Sequence, residues 1–198
     1  MLGEMNPNRF NPGRVQLRGQ GLTLIELMVT VAITAVLVAV AVPSMQQMIA
    51  KRRVAGVANE LAIDLRYLRS LSVLNGVMTQ LDFGSNPAST CYMLSTDLFG
   101  SYQPCDCTDP TSCQSGPIAV KTVSLQRSDG VTVTQEVTNL PLRFLGPSAM
   151  PEMLFSAATI RATVSSSRGG SVRVWTNTIG RAFTCSVSGQ ESNFPACP

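Results

Sequence analysis

Residues 22–42 read LTLIELMVTVAITAVLVAVAV, a run of 21 residues that contains one charged side chain, Glu26. A helix of that length is roughly 30 Å long, about the thickness of the hydrocarbon core of a bilayer. The core-facing helix of a soluble domain carries a polar stripe, whereas this run offers only Glu26 and three threonines. The run therefore predicts a membrane-spanning helix, preceded by a polar segment, residues 1–21, with three arginines and one glutamate.

Glu26 is the residue of this run that requires a partner. A charge inside a membrane costs at least about 2.5–3.5 kcal/mol near the centre, so such a residue is a functional candidate. No residue between Leu22 and Val42 is basic. Cleavage between Gly21 and Leu22 would create an α-amine one helical turn from Glu26 on the same face, and Glu26 of a neighbouring chain could meet that amine instead. Unsatisfied charges of this kind favour side-by-side packing of several copies.

The stretch Gly21–Met28, GLTLIELM, resembles the prepilin signature of type IV pilins and type II secretion pseudopilins. The resemblance implies that a membrane-bound prepilin peptidase cuts after Gly21 and N-methylates Leu22, which stands where the family usually has phenylalanine. It also implies that Glu26 is the family's acidic fifth residue and Pro43 its helix-kinking proline, and that both serve assembly.

Two other interpretations of the apolar run remain open. Ala39-Val40-Ala41 matches the small-residue pattern that precedes signal-peptide cleavage, which would release an exported domain that starts at Val42. Against this, the run is longer than the ~7–15 apolar residues of a signal peptide, contains Glu26, and continues as a helical pattern beyond the cleavage site. An ordinary, uncleaved membrane anchor is the other alternative.

The charges that flank the apolar run do not decide its orientation, because three arginines precede it and Lys51, Arg52 and Arg53 follow it. All six cysteines lie after residue 90, which places the C-terminal part of the chain outside the reducing cytoplasm. We therefore expect a cytoplasmic leader (1–21), a single pass through the inner membrane (22–43) and a periplasmic head.

Beyond Pro43 the helical pattern becomes one-sided. A proline removes one helical hydrogen bond and is expected to kink this helix rather than to end it. Apolar residues then recur at spacings of three and four, so we expect segment 44–76 to pack an apolar stripe on a globular head and to end at Asn75-Gly76. The stripe consists of Val54, Val57, Leu61, Leu65 and Leu68.

Residues 77–198 are predicted to form a β-rich head, because the apolar period shortens after Gly76. Residues 84–118 and 146–153 are predicted loops, the first with one strand at Thr90–Ser95. Ser128-Asp129-Gly130 and Arg168-Gly169-Gly170 are predicted hairpin turns. The other predicted strands are Val77–Phe83, Ala119–Arg127, Val131–Val137, Arg143–Leu145, Thr159–Ser165, Ser171–Asn177 and Arg181–Val187. The fold class is α+β, with a long N-terminal hydrophobic helix packed on an antiparallel β-rich head, and the resemblance extends to the pilin fold.

The six cysteines are predicted to form disulfides that staple the head. A four-thiolate zinc site in the loop is the alternative, although the C-x-C-x5-C spacing is not typical of zinc-binding motifs. Cys185 and Cys197 stand apart near the C-terminus and are the favoured pair, while Cys105 and Cys107 are too close to pair comfortably with each other. The disulfide candidates are Cys91, Cys105, Cys107, Cys113, Cys185 and Cys197.

The chain contains no histidine, which excludes Ser-His-Asp and Cys-His catalysis and every histidine-ligated metal site. Lys121 is the only lysine beyond Lys51, and the spacing around it suggests no nucleophile. We therefore expect neither enzymatic activity nor a cofactor or metal.

Two further stretches narrow the resemblance. Asn59–Leu61 with Leu65–Ser70, and Thr178–Arg181 with Cys185, are similar to the helix end and the C-terminal strand of the GspH/FimT group of minor pilins. The resemblance implies a minor pilin precursor that is processed after Gly21 and supports assembly of a type IV pilus. Its implied partners are other pilin subunits, the prepilin peptidase, the inner-membrane assembly machinery and the lipid bilayer. A minor pseudopilin of a type II secretion system is the first alternative, and an exported binding domain cleaved after residue 41 is the second.

DNA binding is a further hypothesis. Residues 140–198 carry five arginines and two glutamates, a net charge of 5 − 2 = +3, and Trp175 lies two residues from an arginine on one strand face. Some members of the GspH/FimT group bind DNA during natural transformation through a Gly-Arg-x-Arg stretch, which here reads Gly180-Arg181-Ala182-Phe183. The alternative is that the arginines are solvated and Trp175 packs in the core. The candidate DNA-binding residues are Arg161, Arg168, Arg173 and Arg181.

Overall fold

The computed structural model describes residues 23–98, 105–109, 111–113, 116–136, 142–144, 151–152, 161–177, 179–187 and 193–197. It divides into two compact units, with the boundary between Ala41 and Val42. The first unit contains the beginning of the long helix. The second contains the rest of that helix and the β-rich head.

Helix α1 extends over Leu24–Asn75 and passes through Pro43, so the prediction that the proline does not end it is confirmed. Thr23 caps its start, because the backbone N–H of Glu26 donates to Thr23 Oγ1 at 3.3 Å. At its end Gly76 adopts φ +64°, a left-handed conformation that glycine reaches without strain. Within the described residues α1 is the one helix long and apolar enough to cross a membrane.

The head consists of two antiparallel sheets. The first has five strands in the order β3-β2-β1-β5-β6, and the second has four in the order β4-β7-β8-β9. Each pair of neighbouring strands is antiparallel. The strands are β1 Met78–Ser85, β2 Ser89–Asp97, β3 Pro117–Gln126, β4 Val131–Gln135, β5 Leu142–Phe144, β6 Pro151–Glu152, β7 Arg161–Ser166, β8 Ser171–Thr176 and β9 Ala182–Ser186.

The apolar stripe of α1 enters the core, as the spacing of its residues predicted. Val54, Leu61 and Leu68 are fully buried and belong to one cluster with side chains from both sheets. Tyr92 of the first sheet and Val174 of the second are members of the same cluster. The second half of α1 therefore supplies the apolar surface that the inner faces of the two sheets share.

Three local predictions are wrong. Residues 84–118 are not one long loop, because β1 runs to Ser85 and a short connection follows; the strand predicted at Thr90–Ser95 is confirmed, but it is longer and forms β2, Ser89–Asp97. The turn at Ser128-Asp129-Gly130 does not form a hairpin: a 3-10 turn, Arg127–Asp129, leads from β3 in the first sheet to β4 in the second. The predicted loop 146–153 contains the short strand β6, which pairs with β5.

Two other connections agree with the predictions. Arg168-Gly169-Gly170 joins the paired strands β7 and β8, and both glycines have positive φ. Cys185 is bonded to Cys197, which ties the C-terminal tail to β9. The four cysteines of the loop region form the disulfides Cys91–Cys107 and Cys105–Cys113, so they are paired with one another and do not form a tetrathiolate site.

A buried polar network joins α1 to the first sheet. Asp64 is 5% exposed, and its carboxylate accepts hydrogen bonds from Tyr92 Oη at 2.9 Å and from Lys121 Nζ at 2.7 Å. Lys121 also donates to the half-exposed Glu60 at 2.8 Å. Burial opposes the charge on Lys121, but hydrogen bonds with Asp64 and Glu60 raise its pKa above the usual value. Burial and the bond to Asp64 raise the pKa of Tyr92 as well, so the phenol remains a donor.

We expect Asp64→Ala to lower the free energy of unfolding by about 2–4 kcal/mol, because it leaves the Tyr92 hydroxyl buried and deprives Lys121 of its main partner. Glu60→Gln is the matched control and should cost less than about 1 kcal/mol, since Glu60 is half-exposed and its ion pair is screened by solvent. Urea denaturation of the detergent-solubilised chain, followed by the fluorescence of its single tryptophan, measures both. Equal losses for the two variants would contradict a central role for Asp64.

A second buried carboxylate lies beside the disulfide region. Asp82 on β1 is 4% exposed and accepts a hydrogen bond from Gln80 Nε2 at 3.1 Å. Burial raises the pKa of Asp82 to about 6, although the backbone N–H of Cys105 and the charge of Arg143 oppose the rise. An aspartate in an unfolded chain has a pKa of about 3.9. Asp82 therefore binds its proton more tightly in the folded protein.

This difference predicts a pH dependence. The folded state binds more protons than the unfolded state between pH ~4 and ~6, so the contribution of Asp82 to the free energy of unfolding falls as the pH rises through this window. Asp82→Asn should remove that fall and stabilise the protein at pH 7 by about 2–3 kcal/mol. Urea denaturation of both proteins between pH 4 and pH 7 tests the expectation. Parallel curves for the two proteins would show that Asp82 is already ionised when folded.

Candidate functional site

The first unit presents an apolar helix surface with one charge. Every described residue from Leu24 to Ile49 is exposed, and Ala50 is the first buried residue of α1. Between residues 24 and 50 the sequence contains no charged residue other than Glu26. Glu26 lies in the first turn of α1, where the partial positive charge of the helix N-terminus favours an anion. The predicted cleavage-site residues Gly21 and Leu22 lie outside the described residues.

The threonines of this segment satisfy their own hydrogen-bonding needs. Thr30 Oγ1 donates to the carbonyl of Leu27 at 2.8 Å, and Thr34 Oγ1 donates to the carbonyl of Thr30 at 2.9 Å. Internal bonds of this type let a hydroxyl lie in an apolar medium without an outside partner. Glu26 is therefore the charged group of this segment that needs a counter-ion from outside the described part of the helix.

The second candidate site is the outer face of the second sheet, the face turned away from the core. The register aligns Arg161 of β7 with Trp175 of β8 and Trp175 with Phe183 of β9, so the three lie in one row across the sheet. The rings of Trp175 and Phe183 are stacked with centroids 4.8 Å apart. Trp175 is therefore on the outer face rather than in the core, and it shares that face with Arg173, as predicted.

A carboxylate partly neutralises this face. Arg173 Nε donates to Glu136 Oε1 at 2.7 Å, and the Thr163 hydroxyl donates to the same oxygen. Burial alone would raise the pKa of Glu136, but the bonds from Thr163 and Arg173 and the charge of Arg161 hold it below its usual value. Glu136 is thus ionised at neutral pH and pairs with Arg173. Arg161, the charged residue of the row, is exposed to solvent.

The four predicted DNA-binding arginines occupy three places. Arg161 and Arg173 lie on the outer sheet face, while Arg168 lies in the exposed turn between β7 and β8. Arg181 precedes β9 and lines an open groove with Arg66 and Arg69 of α1. Sequence reasoning did not connect the helix arginines with Arg181, because only the tertiary fold brings these segments together. The sequence did indicate that Arg66 and Arg69 lie close together on the helix surface, because they are three residues apart and outside the apolar stripe.

The apolar helix followed by two antiparallel sheets is the arrangement of a pilin fold. The Prokaryotic N-terminal methylation motif matches residues 17–42, which include the predicted cleavage site and Glu26. The motif marks the chain as a type IV pilin-like prepilin. It implies processing by a prepilin peptidase and assembly with pilin-like subunits, and it indicates membrane anchoring. Proteins of this kind are structural rather than enzymatic. No curated protein and no solved structure matches the chain significantly.

Proposed function

We propose that the chain is a minor pilin precursor that is cleaved after Gly21, N-methylated at Leu22 and incorporated into a type IV pilus to support its assembly. The observation that carries the proposal is an exposed apolar helix surface with a single charge, Glu26, most of which lies inside the segment that the methylation motif matches. Such a surface is stable in lipid before assembly and against other apolar helices afterwards. The disulfide-bonded head is exported to the periplasm and displayed by the filament.

The role of Glu26 follows from electrostatics. Cleavage after Gly21 replaces the polar leader with an α-amine, which is a cation at the boundary of an apolar segment. The carboxylate of Glu26 on the same or a neighbouring chain neutralises this amine at low dielectric, where the attraction is stronger than in water. A fixed pairing of the two charges aligns one subunit axially with the next. Pro43 frees one backbone carbonyl and lets the helix bend where the neighbouring helices require it.

Glu26→Gln should abolish or strongly reduce incorporation into filaments, because the amide cannot neutralise the new α-amine. Processing should persist, with mass spectrometry finding a methylated Leu22 at the mature N-terminus of both proteins. Immunoblots of sheared filaments and of membranes, from cells expressing each protein, give the two readouts. Thr34→Val is a matched control, since Thr34 lies in the same apolar segment and its hydroxyl bonds within the helix.

Incorporation of Glu26→Gln at the normal level would contradict the proposal. A mature N-terminus at Val42 would favour the exported binding domain instead. The pilus and the type II secretion alternatives differ in the phenotype of a deletion, which should impair motility, surface fibres or DNA uptake in the first case and enzyme secretion in the second.

DNA binding is a second candidate function of the head. The observation that favours it is the row formed by Arg161, Trp175 and Phe183, which places a cation and two stacked rings on one exposed sheet face. Arginine suits phosphate contacts, and exposed aromatic rings stack on bases. Phe183 occupies the position of the second arginine in the Gly-Arg-x-Arg stretch of the GspH/FimT group. This chain therefore has an aromatic ring at the position where that group has a positive charge. Glu136 reduces the contribution of Arg173.

If this face binds DNA, Arg161→Ala should weaken retention of a double-stranded fragment by the solubilised chain. It should also lower the slope of log affinity against log salt by about 0.9, the value of one phosphate contact. Arg127→Ala, which removes an exposed arginine on the 3-10 turn between the sheets, is the matched control and should leave the slope unchanged. Fluorescence anisotropy at several salt concentrations provides the measurement. The DNA hypothesis fails if the unmodified chain retains no DNA at low salt.

A further inference from the structure

An open groove on the second unit lies between the last turns of α1 and the segment that leads into β9. Its volume is about 770 Å³. Three arginines line it, and no acidic residue is among the described residues of its wall. The lining residues are Arg66, Arg69, Ser70, Val73, Leu74, Gly180, Arg181 and Ala182.

The composition of the groove favours a protein ligand over a nucleic acid. Val73 and Leu74 are 53% and 80% exposed and stand beside the arginines. Apolar side chains combined with arginine are typical of protein interfaces, whereas surfaces that bind nucleic acids are more polar. The groove therefore fits a segment that offers carboxylates together with apolar side chains.

The chain itself contains a segment that offers the carboxylates. Residues 97–120 include three aspartates and no lysine or arginine. Two of them, Asp106 and Asp109, are exposed in the loop that the disulfides Cys91–Cys107 and Cys105–Cys113 fix. Hydrogen bonds from Thr111 lower the pKa of Asp109, which keeps this exposed carboxylate ionised. A loop held in place by disulfides loses little conformational entropy when it binds.

The groove and the acidic loop lie at opposite ends of β1. Thr79 near the start of β1 donates to the carbonyl of Leu68, so this end lies beside the helix turns of the groove. Gly84 near the other end is packed against Cys107 and Asp106 of the loop. Gly84 is five residues beyond Thr79 along the strand, a distance of about 16 Å. The separation prevents the loop from filling the groove of its own molecule.

We propose that the arginine groove of one subunit binds the acidic, disulfide-fixed loop of a second copy of this chain, through salt bridges from Arg66, Arg69 and Arg181 to Asp106 and Asp109. The contact joins two different surfaces and is therefore heterologous. Contacts of this type repeat from copy to copy and produce rings or open helical assemblies rather than two-fold symmetric dimers. The inference rests on the proposed assembly function, and it adds a specific contact between the heads of two subunits.

The test uses the full chain in detergent micelles, in two differently tagged copies. A photoreactive benzoylphenylalanine at position 73 should crosslink to residues 105–113 of the other copy, as mapped by mass spectrometry. Arg69→Glu and Asp109→Arg should each weaken association between copies by about tenfold or more. Mixing Arg69→Glu copies with Asp109→Arg copies should restore the association, because the charges of the pair are then exchanged. Arg52→Glu, an exposed arginine earlier on the same helix, is the matched control and should associate normally.

Several results would overturn the proposal. These are crosslinks that map to other segments, charge reversals without effect, and a charge-swapped pair that associates as weakly as either single variant. Loss of DNA retention by Arg69→Glu with unchanged association would assign the groove to nucleic acid instead. The measurement needs neither cleavage after Gly21 nor Glu26, so it can fail while filament incorporation succeeds, and the reverse. Thermal melting of each variant confirms that it is folded.

Discussion

Much of this molecule depends on the contrast between the two halves of one helix. Residues 24–49 of α1 are exposed on every side and almost entirely apolar, whereas the turns from Ala50 to Ser72 bury one face in the head. Water cannot accommodate the first half, so a membrane or other helices must cover it. In such surroundings Glu26 is costly unless a cation meets it, and the methylation motif implies a cleavage that creates one. Anchoring and assembly thus follow from the same stretch of sequence.

In the head, one face of the same helix packs against two sheets, and its position relative to them must be fixed. Apolar contacts from Val54 to Leu68 bury one face of the helix, but the hydrophobic effect that drives them is non-directional. The carboxylate of Asp64 has less freedom, since it must reach the hydroxyl of Tyr92 on β2 and the ammonium of Lys121 on β3 at once. The buried network therefore restricts the register between helix and sheet in a way that the apolar stripe alone does not.

Local patterns predicted the parts of the structure that local physics determines. The three-and-four spacing identified the buried stripe, the Gly169-Gly170 pair identified the β7–β8 turn, and the isolation of Cys185 and Cys197 identified their bond. The turn at residues 128–130 was misassigned because turn residues do not reveal whether the next strand returns to the same sheet. The strand predicted at Thr90–Ser95 was placed within a long loop because the serine, threonine, proline and cysteine content of the segment hides how far β2 pairs with β1 and β3.

The candidate sites depended on tertiary structure to a greater degree. Net charge identified the arginines of the C-terminal part, but not that Glu136 would neutralise Arg173 or that Arg181 would join two arginines of α1. The tertiary fold thus divides the arginines of the head between two different cationic surfaces. One carries Arg161 and the Arg173–Glu136 ion pair beside stacked rings, and the other carries three arginines beside exposed aliphatic side chains. The two surfaces share no residue, because one is a row of side chains across the second sheet and the other lies between the last turns of α1 and the segment before β9.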